Sequence, residues 1–169
     1  MARKLGVNAT QRLAILKNQA SELLWYGKIT TTQARAKEVA SYVAKIITLA
    51  VNTYADTVET EVTVADAKGK EVKKTLIKDG AKKMNARRKI TTLVNDLQEV
   101  KGFKESKAAF KARTSAIKHP LIEKIFDEYA PKYAARKEEK GQGGGYTRIY
   151  LLGQRRGDAS EEAIIELVD

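Results

Sequence analysis

The sequence predicts an α+β fold, with helices in the first part of the chain and a pair of strands at its end. Apolar residues recur at helical spacing in residues 10–50, alternate with polar residues in 56–79, and form two short extended runs after residue 145. With 169 residues, 43% of them hydrophobic, the chain can build one modest core. We expect one domain, residues 1–169, that carries an inserted β-hairpin at 56–79 and a basic linker at 101–118.

The first predicted helix covers residues 10–26 and stops at Gly27. Its buried stripe has helical spacing and comprises Leu13, Leu16, Ala20, Leu23 and Leu24. Trp25 falls on the opposite side by the same count, so it either packs under a neighbouring segment or is free to stack on a ligand.

A short β-branched segment, 28–31, predicts a strand before the second helix. One of Thr30, Thr31 or Thr32 is expected to cap that helix, and Thr30 with Gln33 has the spacing of a capping box. The helix has the clearest buried stripe in the sequence: Val39, Tyr42, Val43, Ile46, Ile47 and Ala50.

The inserted hairpin is predicted from a period of two. Val58, Val62 and Val64 alternate with polar residues, 67–70 makes a turn, and 72–77 runs back. Its charges are mixed in sign, so the hairpin is either an arm that faces a partner or an exposed loop.

Two further helices are expected before the C-terminal strands. The basic run 82–89 opens the first, whose apolar positions are Met84, Leu93, Val94 and Leu97. The lysine-rich segment 101–118 has the weak pattern of a linker or a marginal helix. Pro120 starts the second helix, and Pro131 ends or bends it. Its buried side comprises Leu121, Ile122, Ile125, Phe126 and Tyr129.

The C-terminal part predicts a flexible glycine-rich segment, 141–145, followed by strands at 146–152 and 162–168. The turn between the strands, 155–158, contains two adjacent arginines. Asp158 is placed to hold one of them in a fixed rotamer.

Composition indicates a polyanionic partner. The chain has 32 Lys and Arg against 21 Asp and Glu, a formal charge of +11 and a pI near 9.7. Guanidinium groups match phosphate oxygens two at a time, and clustered cations release counterions when they bind phosphates. The cations placed for such contacts are Arg12, Arg35, Lys37, Lys82, Lys83, Arg87, Arg88, Arg148, Arg155 and Arg156. The alternative for each is a solvated surface charge.

No group of residues indicates catalysis or a cofactor. The sequence has one histidine, no cysteine and acids dispersed among lysines, which excludes disulfides and thiolate metal sites and leaves no nucleophile with its base. The run 143–145 lacks the Lys-Ser/Thr of a P-loop. No apolar run is long enough for a membrane span. We expect a cytoplasmic, non-catalytic protein without metal, cofactor, small-molecule substrate or membrane contact.

Several blocks of the chain resemble the signature of one family. They are Arg3-Lys4-Leu5-Gly6, Ile29-Thr30-Thr31, Arg35-Ala36-Lys37-Glu38, Ala86-Arg87-Arg88, Ala130-Pro131-Lys132-Tyr133, and the segments 144–149, 155–158 and 165–168. In this order they are similar to the bacterial L-seventeen family of large-subunit ribosomal proteins. The resemblance implies a two-layer α/β fold in the order helix, strand, three helices and two strands.

The resemblance also implies a function, that of a structural constituent of the large (50S) ribosomal subunit. Such a protein would bind folded large-subunit ribosomal RNA near the polypeptide exit, beside other ribosomal proteins. The resemblance adds Arg3 and Lys4 to the RNA contacts. Val7 and Gln11 stand where arginine and histidine are common in the family, so we expect weaker N-terminal contacts. Segments 56–79, 101–118 and 137–142 look expanded, and their roles do not follow from the family.

Two other functions fit parts of the sequence. A free RNA or DNA chaperone would use the same positive charge but would bind many sequences alike, whereas a ribosomal protein recognises the shape of a folded RNA. A protein-interaction adaptor would use the hairpin and the mixed-charge tail 161–169, and the high positive charge argues against it as the main role.

Overall fold

The computed structural model describes residues 3–65, 71–141 and 143–168, and within the hairpin it describes the backbone alone for 62–65 and 71–74. The elements in chain order are α1 (Ala9–Tyr26), β1 (Lys28–Thr32), α2 (Gln33–Val51), β2 (Thr57–Ala65), β3 (Glu71–Asp79), α3 (Ala81–Leu93), α4 (Lys107–Thr114), α5 (Pro120–Lys124), a π-helical turn (Ile125–Tyr129), α6 (Ala130–Lys140), β4 (Thr147–Gln154) and β5 (Glu161–Leu167). This order confirms the predicted α+β fold. Of the two alternatives for the lysine-rich segment 101–118, a linker or a marginal helix, the structure contains a short helix, α4, within it.

The fold has a layer of helices and a layer formed by one antiparallel sheet, with the strand order β1-β5-β4. Ile165 of β5 lies between Ile29 of β1 and Ile149 of β4, and both Ala163 and Ile165 are fully buried under the helices. Alternate residues such as Glu166 point to the opposite, open face, as the pleat of a strand requires. Helices therefore cover one face of the sheet only.

Most of the core residues come from α1, α2 and the helical segment 120–134. The predicted α2 stripe is confirmed: Val39, Val43, Ile46, Ile47 and Ala50 are fully buried, and Tyr42 is half-buried with its hydroxyl donating to the Leu93 carbonyl oxygen at 2.8 Å. In α1 the stripe is correct from Leu16 onward but wrong at Leu13, which is 51% exposed. The first six residues of α1 contain no buried side chain, because this end of the helix extends past the core.

Helix α1 begins and ends at residues with the expected capping chemistry. The Asn8 side chain accepts a hydrogen bond from the Gln11 N–H at 2.9 Å, and Gly27 takes a left-handed conformation with φ 82°. The predicted capping box at α2 is wrong. Thr30 pairs with Ile164 inside the sheet, and Thr32, which precedes α2, makes no side-chain capping bond.

Residues 120–140 form one continuous helical segment, so of the two predicted alternatives, that Pro131 ends or bends the helix, the first is wrong. The predicted buried side is confirmed at all five positions: Leu121, Ile122, Ile125, Phe126 and Tyr129. The π-helical turn explains how Pro131 is tolerated: the N–H of Ala130 bonds to the carbonyl of Ile125, five residues earlier. This shift widens the helix just before the proline, which has no N–H to donate.

The inserted hairpin is confirmed by strands β2 and β3, which pair antiparallel from Thr57 opposite Asp79 to Ala65 opposite Glu71. The predicted turn at 67–70 lies outside the described residues. In the following helix, α3, the predicted apolar position Met84 is 41% exposed. Ala86 and Ile90 are buried instead, one helical turn apart and on the face that packs against α2.

Candidate nucleic-acid interface

The turn between β4 and β5 presents two arginines with different surroundings. Arg155 makes a two-pronged ion pair with Asp158, with Nε to Oδ1 at 3.0 Å and Nη2 to Oδ2 at 2.6 Å. This pair, together with the Ser160 N–H, lowers the pKa of Asp158 to about 2. Arg156 is exposed and has no carboxylate partner within the part of the chain that the structure describes. The prediction that Asp158 fixes a neighbouring arginine is therefore confirmed for Arg155.

The sheet brings this turn next to the start of α2. Glu162 of β5 pairs with Thr32, the residue before α2, on one side and with Gly153 of β4 on the other. Arg155 also reaches Glu162, with Nη1 3.7 Å from Oε1. Antiparallel pairing thus brings the start of α2 and the 155–158 turn together, although they are about 120 residues apart in sequence.

The N-terminal segment reaches the same end of α2. The backbone N–H of Arg3 donates to Glu38 Oε1 at 3.1 Å, which places Arg3 and Lys4 beside the first turns of that helix. Both residues are exposed. Arg12, half-exposed, lies one turn into α1 from its cap Asn8. We call Arg3, Lys4, Arg35, Lys37, Arg155 and Arg156 the terminal basic cluster.

The N-terminus of α2 lacks the anionic groups that usually satisfy a helix start. Its first turn contains no acidic residue, and its cap residue Thr32 makes no side-chain bond to the free N–H groups. Arg35 and Lys37 lie in its first turns, where positive charge opposes the helix dipole unless an anion binds nearby. A helix start of this kind has backbone N–H groups that are able to bind an anion.

Helix α3 provides the contrast. Its first N–H groups already have an anion, because Asp56 Oδ2 accepts from the Lys82 N–H at 2.8 Å and from the Lys83 N–H at 3.2 Å. The approach is so close that a Cβ on Gly80 would collide with the Asp56 carboxylate. The helix N-terminus at α2 is therefore open to an external anion, and the one at α3 is closed.

The four cations of α3 that were predicted to contact RNA divide into two pairs. Lys82 and Arg88 are exposed. Lys83 and Arg87 are engaged inside the protein, since Lys83 Nζ lies 2.9 Å from Asp79 Oδ1 and Arg87 bonds both oxygens of Glu123 at 2.6 and 2.9 Å.

Arg87 joins three elements. Its guanidinium lies 4.9 Å from the centre of the Phe126 ring, and Nε approaches Asp79 Oδ2 to 2.6 Å without the alignment of a hydrogen bond. The hydrogen bond to Glu123 and the nearby carboxylates raise the pKa of Arg87 despite its partial burial. These contacts supply a structural role for Arg87, and its contact with RNA stays a prediction.

Arg148 lies apart from the terminal basic cluster. On the open face of the sheet it stands opposite Glu166, with Lys28 on the other side of the same glutamate. This row is at the end of the sheet far from the 155–158 turn. The structure therefore separates Arg148 from the other predicted arginines of the C-terminal strands.

Two cations that the sequence did not single out have structural partners. Arg136 donates to the Gly144 carbonyl oxygen at 2.6 Å and stacks on Tyr133, 4.8 Å from the ring centre. This bond anchors the glycine-rich segment at Gly144, which has φ 96°. Lys124 donates to the Trp25 carbonyl oxygen at 2.9 Å, and its Nζ lies 5.6 Å from the centre of the indole ring. Trp25 is half-buried and packs against the core, which agrees with the first of the two interpretations of this residue, packing under a neighbouring segment.

Within the described ranges, no group of three or more histidines, cysteines and acids is placed to hold a metal ion. No helix in that part of the chain is both long and apolar enough to cross a membrane. The arrangement supplies open backbone N–H groups and arginine forks, which bind phosphate.

The sequence model of one protein family, "Ribosomal protein L17", matches residues 15–168. The chain belongs to the ribosomal protein L17 family. It is 39% identical to the large ribosomal subunit protein bL17 of Lachnospira eligens over 98% of each chain. Identity to the proteins of the same name is 36% for Acetivibrio thermocellus, over 98% of each chain, and 36% for Leuconostoc mesenteroides, over 99% of this chain and 98% of the relative.

Family membership makes this chain a structural ribosomal protein and not an enzyme, as the sequence predicted.

Proposed function

We propose that this protein is a structural constituent of the large ribosomal subunit in the cytoplasm, and that it binds folded large-subunit ribosomal RNA through the terminal basic cluster. One observation carries the proposal: the uncapped N-terminus of α2 carries Arg35 and Lys37, the sheet brings the turn that contains Arg156 next to it, and none of these three cations has a carboxylate partner among the described residues. Free N–H groups at a helix start and guanidinium forks both bind phosphate, and phosphate contacts position a protein on a nucleic acid.

The other cations that were predicted to contact RNA lie outside the terminal basic cluster, and the proposal keeps only some of them. Arg12, Lys82, Arg88 and Arg148 extend the RNA surface beyond the cluster, because each is at least partly exposed. Lys83 and Arg87 are left out, since their charged groups are engaged by carboxylates of the chain itself. The location near the polypeptide exit, beside other ribosomal proteins, is supported by the family resemblance.

Equilibrium binding to a folded large-subunit ribosomal RNA transcript tests the proposal. The variant Arg35→Gln/Arg156→Gln removes two phosphate-binding groups, so we expect weaker binding and a salt dependence reduced by about two charges. A matched control, Lys137→Gln/Lys140→Gln, removes the same charge from exposed lysines at the end of α6 and should bind like the wild type.

Two results would contradict the proposal. Equal losses in both double variants would mean that net charge alone drives binding. Equal affinity for folded and heat-denatured RNA would favour the chaperone function, because a ribosomal protein recognises RNA shape.

A further inference from the structure

Residues 95–118, which we call the lysine segment, leave the body of the protein and bury no side chain. Helix α4 lies within it, and no residue of α4 is buried. Val100 is 82% exposed and Ile117 is 52% exposed. The hydrophobic core therefore does not explain why this segment keeps its shape.

Ion pairs hold the segment together instead. Arg113 of α4 bonds Glu99 and also both oxygens of Glu105, at 3.2 and 3.3 Å. The third acid of the segment, Asp96, lies 2.7 Å from His119 Nδ1. All three carboxylates of the segment are thus used by groups other than lysine.

The lysines are left without local counter-charge. Five of them lie in the segment, all exposed and none in an ion pair among the described residues: Lys101, Lys104, Lys107, Lys111 and Lys118. Lys107 and Lys111 are one helical turn apart on α4, so they share a face. Such a surface attracts a polyanion.

A closed turn presents an aromatic ring among these lysines. The Glu105 N–H donates to the Gly102 carbonyl at 3.1 Å, and the Gly102 N–H donates back to Glu105 Oε2 at 3.1 Å. Phe103 occupies the tip of this turn, between Lys101 and Lys104, with a relative exposure of 101%. Glu105 also binds Arg113, which joins the turn to α4.

We propose that the lysine segment is a second binding site for large-subunit ribosomal RNA, in which Phe103 stacks on an unpaired base and Lys107 and Lys111 contact flanking phosphates. This inference rests on the proposed function. An exposed ring between cations fits base stacking beside a phosphate backbone. A protein partner fits less well, because lysine is depleted in protein–protein interfaces.

The first test compares three single variants of the full chain for binding to the folded RNA transcript. Phe103→Ala should weaken binding about tenfold, whereas Phe103→Tyr, which keeps a stacking ring, should bind within about twofold of the wild type. Val100→Ala removes exposed apolar surface from the same segment and should have no effect. Wild-type affinity for Phe103→Ala, or equal losses for Phe103→Ala and Val100→Ala, would overturn the inference.

Arg35→Gln/Arg156→Gln, measured in parallel, separates the two proposals. If that variant binds weakly while Phe103→Ala binds normally, the lysine segment is not an RNA site and the proposed function stands. If the wild type does not bind folded ribosomal RNA at all, the proposed function fails, and the inference fails with it.

A second test identifies the partner directly. Benzoylphenylalanine in place of Phe103 would be incorporated into the full chain in cells, and purified large subunits would be irradiated. A cross-link that ribonuclease removes is the expected result. A cross-linked product that survives ribonuclease, and in which protease digestion reveals a second protein, would show that the segment is a protein-docking site instead.

Discussion

Replacement of Arg87 by methionine separates a structural arginine from an RNA-binding one. The side chain of Arg87 is 19% exposed, and its two carboxylate partners, Asp79 and Glu123, are 23% and 35% exposed. Methionine keeps an unbranched apolar stem but removes the guanidinium, so Glu123 loses its partner and Asp79 keeps only Lys83. Arg88→Met, on the next residue and on the exposed side of α3, is the matched control.

The exposures set the expected magnitude. Removal of one partner from a fully buried ion pair costs about 3–5 kcal/mol, and exposed pairs contribute about 0–1 kcal/mol. The Arg87 pair lies between these limits, so we expect Arg87→Met to lower the free energy of unfolding by about 2 kcal/mol. For a chain of this size that corresponds to a fall in Tm of about 4–8 °C. Arg88→Met should stay within about 0.5 kcal/mol of the wild type.

Urea unfolding followed by the fluorescence of Trp25, the one tryptophan in the sequence, measures the change. A double-mutant cycle with Glu123→Gln should give a coupling energy of about 1–2 kcal/mol. RNA binding by the folded protein should be unchanged in Arg87→Met. The reasoning is refuted if Arg87→Met is as stable as Arg88→Met and its RNA affinity falls.

Three further predictions concern stability. Leu23→Ala, at a fully buried site, should cost about 2–5 kcal/mol in urea unfolding, and Leu13→Ala, at a half-exposed one, less than about 1 kcal/mol; equal costs would contradict the burial pattern. Gly27→Ala should cost about 1–2 kcal/mol, because φ is 82° there, and an unchanged denaturation midpoint would contradict this. Burial, aided by Glu128, raises the pKa of Tyr129 to about 12 from its ordinary 10. Folding therefore favours the neutral phenol, so about 2–3 kcal/mol of stability from Tyr129 should be present below pH 10 and lost as the pH rises towards 12. In urea unfolding, Tyr129→Phe should lose less stability than the wild type over this pH range.

Local patterns in the sequence were sufficient where the determining partners are close along the chain. The stripe of α2 follows from spacing alone, because every buried position is set by one helical period. The Arg155–Asp158 pair lies within a single turn, so its chemistry could be predicted from four residues. The prediction that Leu13 is buried was wrong for a related reason. The helical period shows which face of α1 is apolar, but it does not show how far the core extends along that face.

Partners that are distant along the chain could not be predicted. Glu123 is 36 residues from Arg87, and Asp79 stands at the base of an inserted hairpin, so the sequence showed only a basic run. The tolerance of Pro131 depends on a shift of one hydrogen bond at Ala130, which leaves no mark on the apolar pattern.

The terminal basic cluster combines both cases. The sequence was enough to select its arginines as candidates, because arginine is a phosphate-binding residue type. Their common position near the start of α2 depends on the pairing of β1 with β5, which the sequence did not show. The open helix start there could not be predicted either, because the threonines before α2 were expected to cap it.

The account depends most on whether the terminal basic cluster attaches the protein to the large ribosomal subunit. Sedimentation of a native lysate through a sucrose gradient tests this directly, with tagged wild type, Arg35→Glu/Arg156→Glu, and the control Lys137→Glu/Lys140→Glu. We predict that the wild type and the control sediment with large subunits and intact ribosomes, while the cluster variant moves to the free pool. A wild-type protein that stays free or spreads over all RNA-containing fractions, or a cluster variant that still sediments with the large subunit, would contradict the account.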